Sequence, residues 1–147
     1  MMENTNNHKL KEAGYQKLEV YQLSHTLAIR IHKMSLELPK FEMHEQGSQM
    51  RRSAKSVPAN IVEGYILRKY KNEFPHYLYL SYASSEETVQ QLKIIFETSS
   101  LRDEKSYDEV PKSYHHLNAM LFKFIQGVEA QHETPYYVKE SETDYNT

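Results

Sequence analysis

Val110, Tyr114, Leu117, Leu121, Phe124 and Val128 recur at steps of 4, 3, 4, 3 and 4, an unbroken series that only an α-helix gathers onto one side. Two further runs share the period. Val20, Leu23, Leu27, Ile31, Met34 and Leu38 follow steps of 3, 4, 4, 3 and 4 and end at Pro39, which pushes the residue before it out of helical geometry. Met50, Ala54, Val57 and Ile61 follow steps of 4, 3 and 4, in a helix expected to start near Gly47 or Ser48 and to end between Gly64 and Leu67. A fourth helix is expected from Asn72, a side-chain cap, through Pro75 in its first turn to about Ser99. In the last helix Pro111 is placed in the first turn, with Asp108 or Ser106 as cap.

Long helices joined by short links, with no alternating strand and no Asn-Gly hairpin signal, predict an all-α fold, an antiparallel up-down-up-down four-helix bundle. The chain's 147 residues suffice for one core. The expected division is a polar segment over residues 1–17, the bundle over 18–132 and an acidic, solvated tail over 133–147. With zero Cys there is neither a disulfide scaffold nor a thiolate metal site, and no apolar stretch approaches a membrane span, so the expected compartment is the cytoplasm.

The Asn72–Ser99 helix is apolar around more than one stripe. Phe74, Leu78, Leu92 and Ile95 share a face with Ser81, Ser85 and Thr88, and Tyr82, Val89 and Phe96 lie beside them. The first helix carries a second ridge of His25, Ile29, His32 and Leu36. Apolar width beyond the needs of one bundle predicts contact between copies, with Ile29, Leu36, Tyr82, Val89 and Phe96 as candidate interface residues.

Charge is uneven. Between positions 51 and 71 six basic residues, Arg51, Arg52, Lys55, Arg68, Lys69 and Lys71, face Glu63 alone, a net +5. From position 129 onward Glu129, Glu133, Glu140, Glu142 and Asp144 face Lys139, a net −4. Arg51 and Lys55 lie one helical turn apart, while Arg68, Lys69 and Lys71 interleave with Tyr65 and Tyr70, a combination able to neutralise phosphates and stack bases. The competing expectation is that these cations pair with Glu63, Glu73 or a neighbouring subunit.

Pro58 sits in the middle of the second helix. It removes the bond to the Ala54 carbonyl and crowds that turn, so a kink is expected, worth about 3 kcal/mol if the helix stayed straight. Ser53, Ala54, Ser56 and Ala59 are small enough to admit a neighbouring helix at the bend, Asn60 can bond backbone freed there, and Glu63 and Gly64 mark the helix end, with Gly64 suited to a left-handed C′ position.

This segment resembles the Gln-x-Arg-Arg-Ala-Ala-x-Ser-Ile-Pro-x-Asn-Ile-Ala-Glu-Gly stretch of the proteins encoded within intervening sequences of 23S ribosomal RNA genes, whose relatives include the accessory subunit of diversity-generating retroelements. Gln49, Arg51, Arg52, Ala54, Ser56, Pro58, Asn60, Ile61, Glu63 and Gly64 match it, and Phe74, Leu78, Ser84, Glu87, Gln91 and Leu92 match the helix that follows. The resemblance spans about residues 18–128. It implies a left-handed antiparallel bundle assembled as a homopentameric ring, no established enzymatic activity, and an association with nucleic acid. The link between Gly64 and Phe74 departs from the family's shorter Gly, Arg and Ser connection, and Gly47 replaces a frequent Thr.

Two Glu-x-x-His pairs, Glu73 with His76 and Glu129 with His132, invite comparison with di-iron bundles, but they lie at helix ends and the first two helices supply no inward Glu pair. His115 and His116 are adjacent, so on a helix they diverge by about 100°. There is no nucleophile elbow, phosphate loop or zincin motif. The expected function is therefore a non-catalytic, ring-forming binding module without cofactor, metal or small-molecule substrate, with RNA or DNA as ligand. The alternative is a purely protein-directed oligomeric scaffold.

Overall fold

The computed structural model describes residues 14–133. Among them the fold is all-α, with no strand: a 3-10 turn, Gly14–Lys17, precedes α1 (Glu19–Ser35), α2 (Lys40–His44), α3 (Gln46–Ile66), α4 (Glu73–Glu97) and α5 (Glu104–Glu133). The four long helices pack side by side, α3 against α1 and α4, α4 against α5, and α1 more sparsely against α5. The tail beyond 133 and the segment before 14 lie outside the described residues.

The apolar series builds the core where its period directs. Ile31, Met50, Val57, Ile61, Leu78, Leu92, Ile95, Val110, Tyr114, Leu117 and Leu121 are fully sequestered. Each buried Leu or Ile of this kind stabilises the fold by about 1.5–3 kcal/mol before entropy is counted. Tyr114 is buried without a hydrogen-bond partner for its hydroxyl among the described residues, and burial raises its phenol well above the ordinary range. Phe124 is only half-buried, because Ile125 turns inward in its place.

The α3–α4 seam is lined by hydroxyls rather than by hydrocarbon alone. Ser53 Oγ lies 2.8 Å from Thr88 Oγ1 and 2.9 Å from Gln91 Oε1, Ser56 Oγ lies 2.9 Å from Ser84 Oγ, and Ser81 donates to the Val57 carbonyl. Small side chains let the two backbones approach, and pairing their hydroxyls across the seam avoids the desolvation cost of a buried orphan, about 1–3 kcal/mol each. The Ser81, Ser85 and Thr88 face is thus an internal face of α4. Ser85 donates to Asn118 on α5, whose amide in turn donates to Glu86 at 2.7 Å.

Several helix boundaries differ from the sequence expectation. The extra short helix α2 occupies the link after Pro39. Asn72 precedes α4 but makes no side-chain cap. α5 starts about one turn earlier than expected, because Asp103, not Asp108 or Ser106, caps it: its carboxylate accepts from Ser106 N at 3.1 Å and Ser106 Oγ at 2.6 Å. Pro111 is consequently an interior residue of α5. Ser99, with φ of 64°, turns the chain out of α4, and Leu101 N then donates back to the Ile95 carbonyl at 2.8 Å while its side chain enters the core.

Candidate nucleic-acid interface

The Pro58 segment folds as a continuous stretch of α3 with Pro58 buried. Asn60 Nδ2 donates to the Ser56 carbonyl and to Ser56 Oγ, both at 2.9 Å, so the side chain does bond backbone, at Ser56 rather than at Ala54. Gly64 does not serve as a left-handed C′ residue, because no glycine described has positive φ and α3 continues to Ile66. Its role is close approach: a Cβ there would stand 2.9 Å from Tyr77 Cβ and 3.1 Å from Phe74 Cδ1. Glu63 faces the same neighbour, and its carboxylate pushes the Tyr77 phenol above the usual tyrosine range.

The six predicted cations do not act alike. Arg51 leaves the proposed ridge: half-buried, it donates from Nη1 to Ser35 Oγ at 2.9 Å and from Nη2 to the Met43 carbonyl at 3.1 Å. The reason is register, since position 51 faces the end of α1 and the short α2, which sequence periodicity did not reveal. Arg68 is half-buried too, donating to the Tyr65 carbonyl at 2.9 Å with its guanidinium 4.0 Å from the Tyr65 ring centroid. Tyr65 itself is held edge-on by Tyr15 and Phe74, which removes it as a stacking platform for bases.

Arg52, Lys55, Lys69 and Lys71 are exposed. The ion pairs among the described residues are Arg30 with Glu109, Lys105 with Glu109 and Lys112 with Asp108, and none of them takes these four cations. Pairing with Glu63 or Glu73 within the chain is therefore not what occupies them. Lys69, Tyr70 and Lys71 project together from the α3–α4 turn, with Tyr70 55% exposed, Lys69 Nζ 5.7 Å from its ring centroid, and Ile66 beside it 64% exposed. Arg52 instead lines a polar groove of about 550 Å³ between α3 and α4, together with His44, Ser48, Gln49, Ser84 and Glu87. Sequence reasoning missed this groove, because α2 and α4 complete it.

The predicted interface residues also separate. Ile29 and Leu36 are 45% and 50% exposed, and Ile29 lines an apolar groove of about 280 Å³ with His25, His32, Lys55 and Pro58. Tyr82, Val89 and Phe96 are half-buried against the chain's own core, and Phe96 stacks on Tyr107 with ring centroids 3.8 Å apart. Each of the three keeps part of its side chain exposed. The exposed large apolar residues of α4 are Tyr79, Leu80 and Ile94.

Among the described residues no group of three or more acidic, His or Cys side chains is placed to hold a metal, and no helix is long and apolar enough to cross a membrane. The side chain of His132, in the second Glu-x-x-His pair, lies outside those described.

These features define an all-helical protein whose second long helix carries a buried proline and a polar seam, with exposed cations gathered at one turn and one groove. The chain belongs to the 23S rRNA-intervening sequence protein family, whose model matches residues 16–123. Its fold is shared by a crystal structure of a protein of unknown function from the S23 ribosomal protein family of Bacteroides thetaiotaomicron, with a TM-score of 0.63 and 23% sequence identity over 78% of this chain and 99% of that one. No curated protein matches the chain.

Proposed function

We propose that the chain is a non-catalytic cytoplasmic module, an antiparallel up-down-up-down four-helix bundle bent at Pro58, that assembles with copies of itself into a ring, a pentamer by its family resemblance, and binds RNA or DNA. The up-down order is supported by residues that meet in opposite sequence order: Val20 near Val128 against Arg30 with Glu109 for α1 and α5, and Phe74 with Phe124, Ser85 with Asn118 and Phe96 with Tyr107 for α4 and α5. The observation that carries the nucleic-acid reading is the α3–α4 turn, where Lys69, Tyr70 and Lys71 are exposed together and the lysines lack ion pairs among the described residues. Lysines there neutralise phosphate, Tyr70 offers a ring for a base, and repetition around a ring multiplies a weak interaction.

A salt titration of binding to generic RNA and DNA tests this reading. Affinity falls steeply with salt, and replacing Lys69 and Lys71 by Gln lowers the log–log slope by about 0.7–0.9 for each phosphate no longer neutralised. Absence of binding at low salt overturns it. The protein-directed scaffold is the second reading, favoured by the exposed Ile29 and Leu36 beside the α1–α3 groove, and it predicts assembly without any nucleic-acid affinity.

A further inference from the structure

Ser48, Arg52, Lys55, Ala59, Val62 and Ile66 recur along α3 at steps of 4, 3, 4, 3 and 4, on the side turned away from the buried Met50, Ala54, Val57 and Ile61. A shallow hollow of about 510 Å³ lies on that side, lined by Ala59, Val62, Glu63, Ile66 and Leu67. All five belong to α3 and its C-cap, so no other described helix covers it. Exposed cations stand at both ends. Arg52 borders the groove toward α4 and Lys55 the groove toward α1, while Lys69 and Lys71 follow the far end of the helix. Glu45 and Glu87 share the Arg52 groove but make no ion pair with it among the described residues. Between Arg52 and Lys69 the one acid is Glu63, whose carboxylate acts on Tyr77 of α4.

We propose that this side of α3 is a track for one unpaired nucleic-acid strand, with phosphates held at both ends and bases laid against the middle; the inference rests on the nucleic-acid reading above. The order of side chains separates a single strand from a duplex. From Arg52 and Lys55 to Ile66 the helix rises about 16–21 Å, a length suited to about 4–8 nucleotides, the lower part of the range for single-strand sites. Within that length Ala59, Val62 and Ile66 carry hydrocarbon and no cation. A duplex presents a phosphate about every 3.4 Å along each strand, so it would set charges against this hydrocarbon with nothing to neutralise them. A single strand turns its bases onto the apolar stretch and the exposed Tyr70 ring, and its phosphates reach Arg52 and Lys55 at one end and Lys69 and Lys71 at the other.

Fluorescence anisotropy of the full chain at low salt tests this, with an unstructured DNA strand of about 12 nucleotides and a duplex of about 12 base pairs as probes. The duplex carries twice the charge, so phosphate contact alone makes it the tighter ligand. The track predicts the reverse, with the strand bound at least ~10-fold more tightly. Arg52, Lys55 and Ile66 are all exposed, so substitutions there leave the core intact. Ile66→Ser weakens the strand ~3–10-fold and leaves duplex affinity unchanged, while Arg52→Gln with Lys55→Gln lowers the salt slope for the strand by about 0.7 per phosphate released. A duplex bound as tightly as the strand, or an Ile66→Ser protein that binds the strand like the parent, overturns the track and leaves the proposed nucleic-acid binding in place. Failure to bind either probe overturns both. Light scattering of Ile66→Ser supplies a further check: a mass equal to the parent's is expected, and a lower mass assigns this side of α3 to a second copy and overturns the track.

Discussion

Replacing Arg51 by Ala separates a structural cation from a ligand-binding one. The side chain spans two elements, with one fork nitrogen on Ser35 Oγ at the end of α1 and the other on the Met43 carbonyl of α2. Hydrogen bonds to a charged donor are worth about 1.5–3 kcal/mol when buried, and the half-exposure of Arg51 puts each nearer 1 kcal/mol, because water can reach the Met43 carbonyl after truncation. Ser35 keeps its own bond to the His32 carbonyl at 2.8 Å, so its hydroxyl is not orphaned. The expected loss is therefore about 2 kcal/mol, or about 4–8 °C in Tm for a chain of this size. Arg51→Lys keeps the charge but cannot bridge both acceptors, and it should lose most of the same stability. Urea denaturation of the three proteins, followed by helical circular dichroism, measures the difference, with the m-value as a check that the unfolded state is unchanged. In the same proteins the salt dependence of RNA binding should stay within error of the parent. A variant as stable as the parent within ~0.5 kcal/mol, with a salt slope shallower by about 0.7–0.9, would show that Arg51 meets phosphate and that the clamp is incidental.

Gly64→Ala should destabilise the fold by about 1–3 kcal/mol in thermal denaturation despite its better helix propensity, because the new methyl meets Tyr77 and Phe74 of α4. Asp103 has its carboxyl held below the ordinary range, chiefly by the Ser106 hydroxyl and then by the Ser106 amide. A depressed folded pKa stabilises above the unfolded value and is lost as pH falls through the folded one, so α5 should fray at its start on acidification; Asp103→Asn should flatten that response in amide exchange of residues 104–107. Ile29→Glu should lower the assembly mass in light scattering without altering helix content, whereas Tyr82→Glu should cost stability first, since its ring is packed against the core.

The all-α class and most of the core were legible because a 3.6-residue period is a local property, and burial follows it directly. The leucines and valines of α5 and the Met50, Ala54, Val57 and Ile61 face entered the core as their spacing implied. The Pro58 segment likewise carried enough specific residues to identify the family. Helix ends were less legible. Asp103 competes with Asp108 and Ser106 as a cap, and only the packing of Leu101 decides how early α5 can begin.

The candidate site divides along the same line. That positions 51–71 are basic is a fact of the linear chain, and so is the exposure expected of a Lys-Tyr-Lys turn between two helices. Which cations remain free is not: Arg51 and Lys55 share a helical side by spacing, yet one is taken by acceptors on α1 and α2 while the other faces solvent. Tyr82, Val89 and Phe96 form a periodic apolar stripe that is half-buried against the chain's own core, with Phe96 stacked on Tyr107 of α5. Periodicity reports which side of a helix avoids water, because that preference is set residue by residue. What covers that side, a helix of the same chain or something else, depends on the three-dimensional arrangement of elements far apart in sequence, and only the tertiary structure decides it.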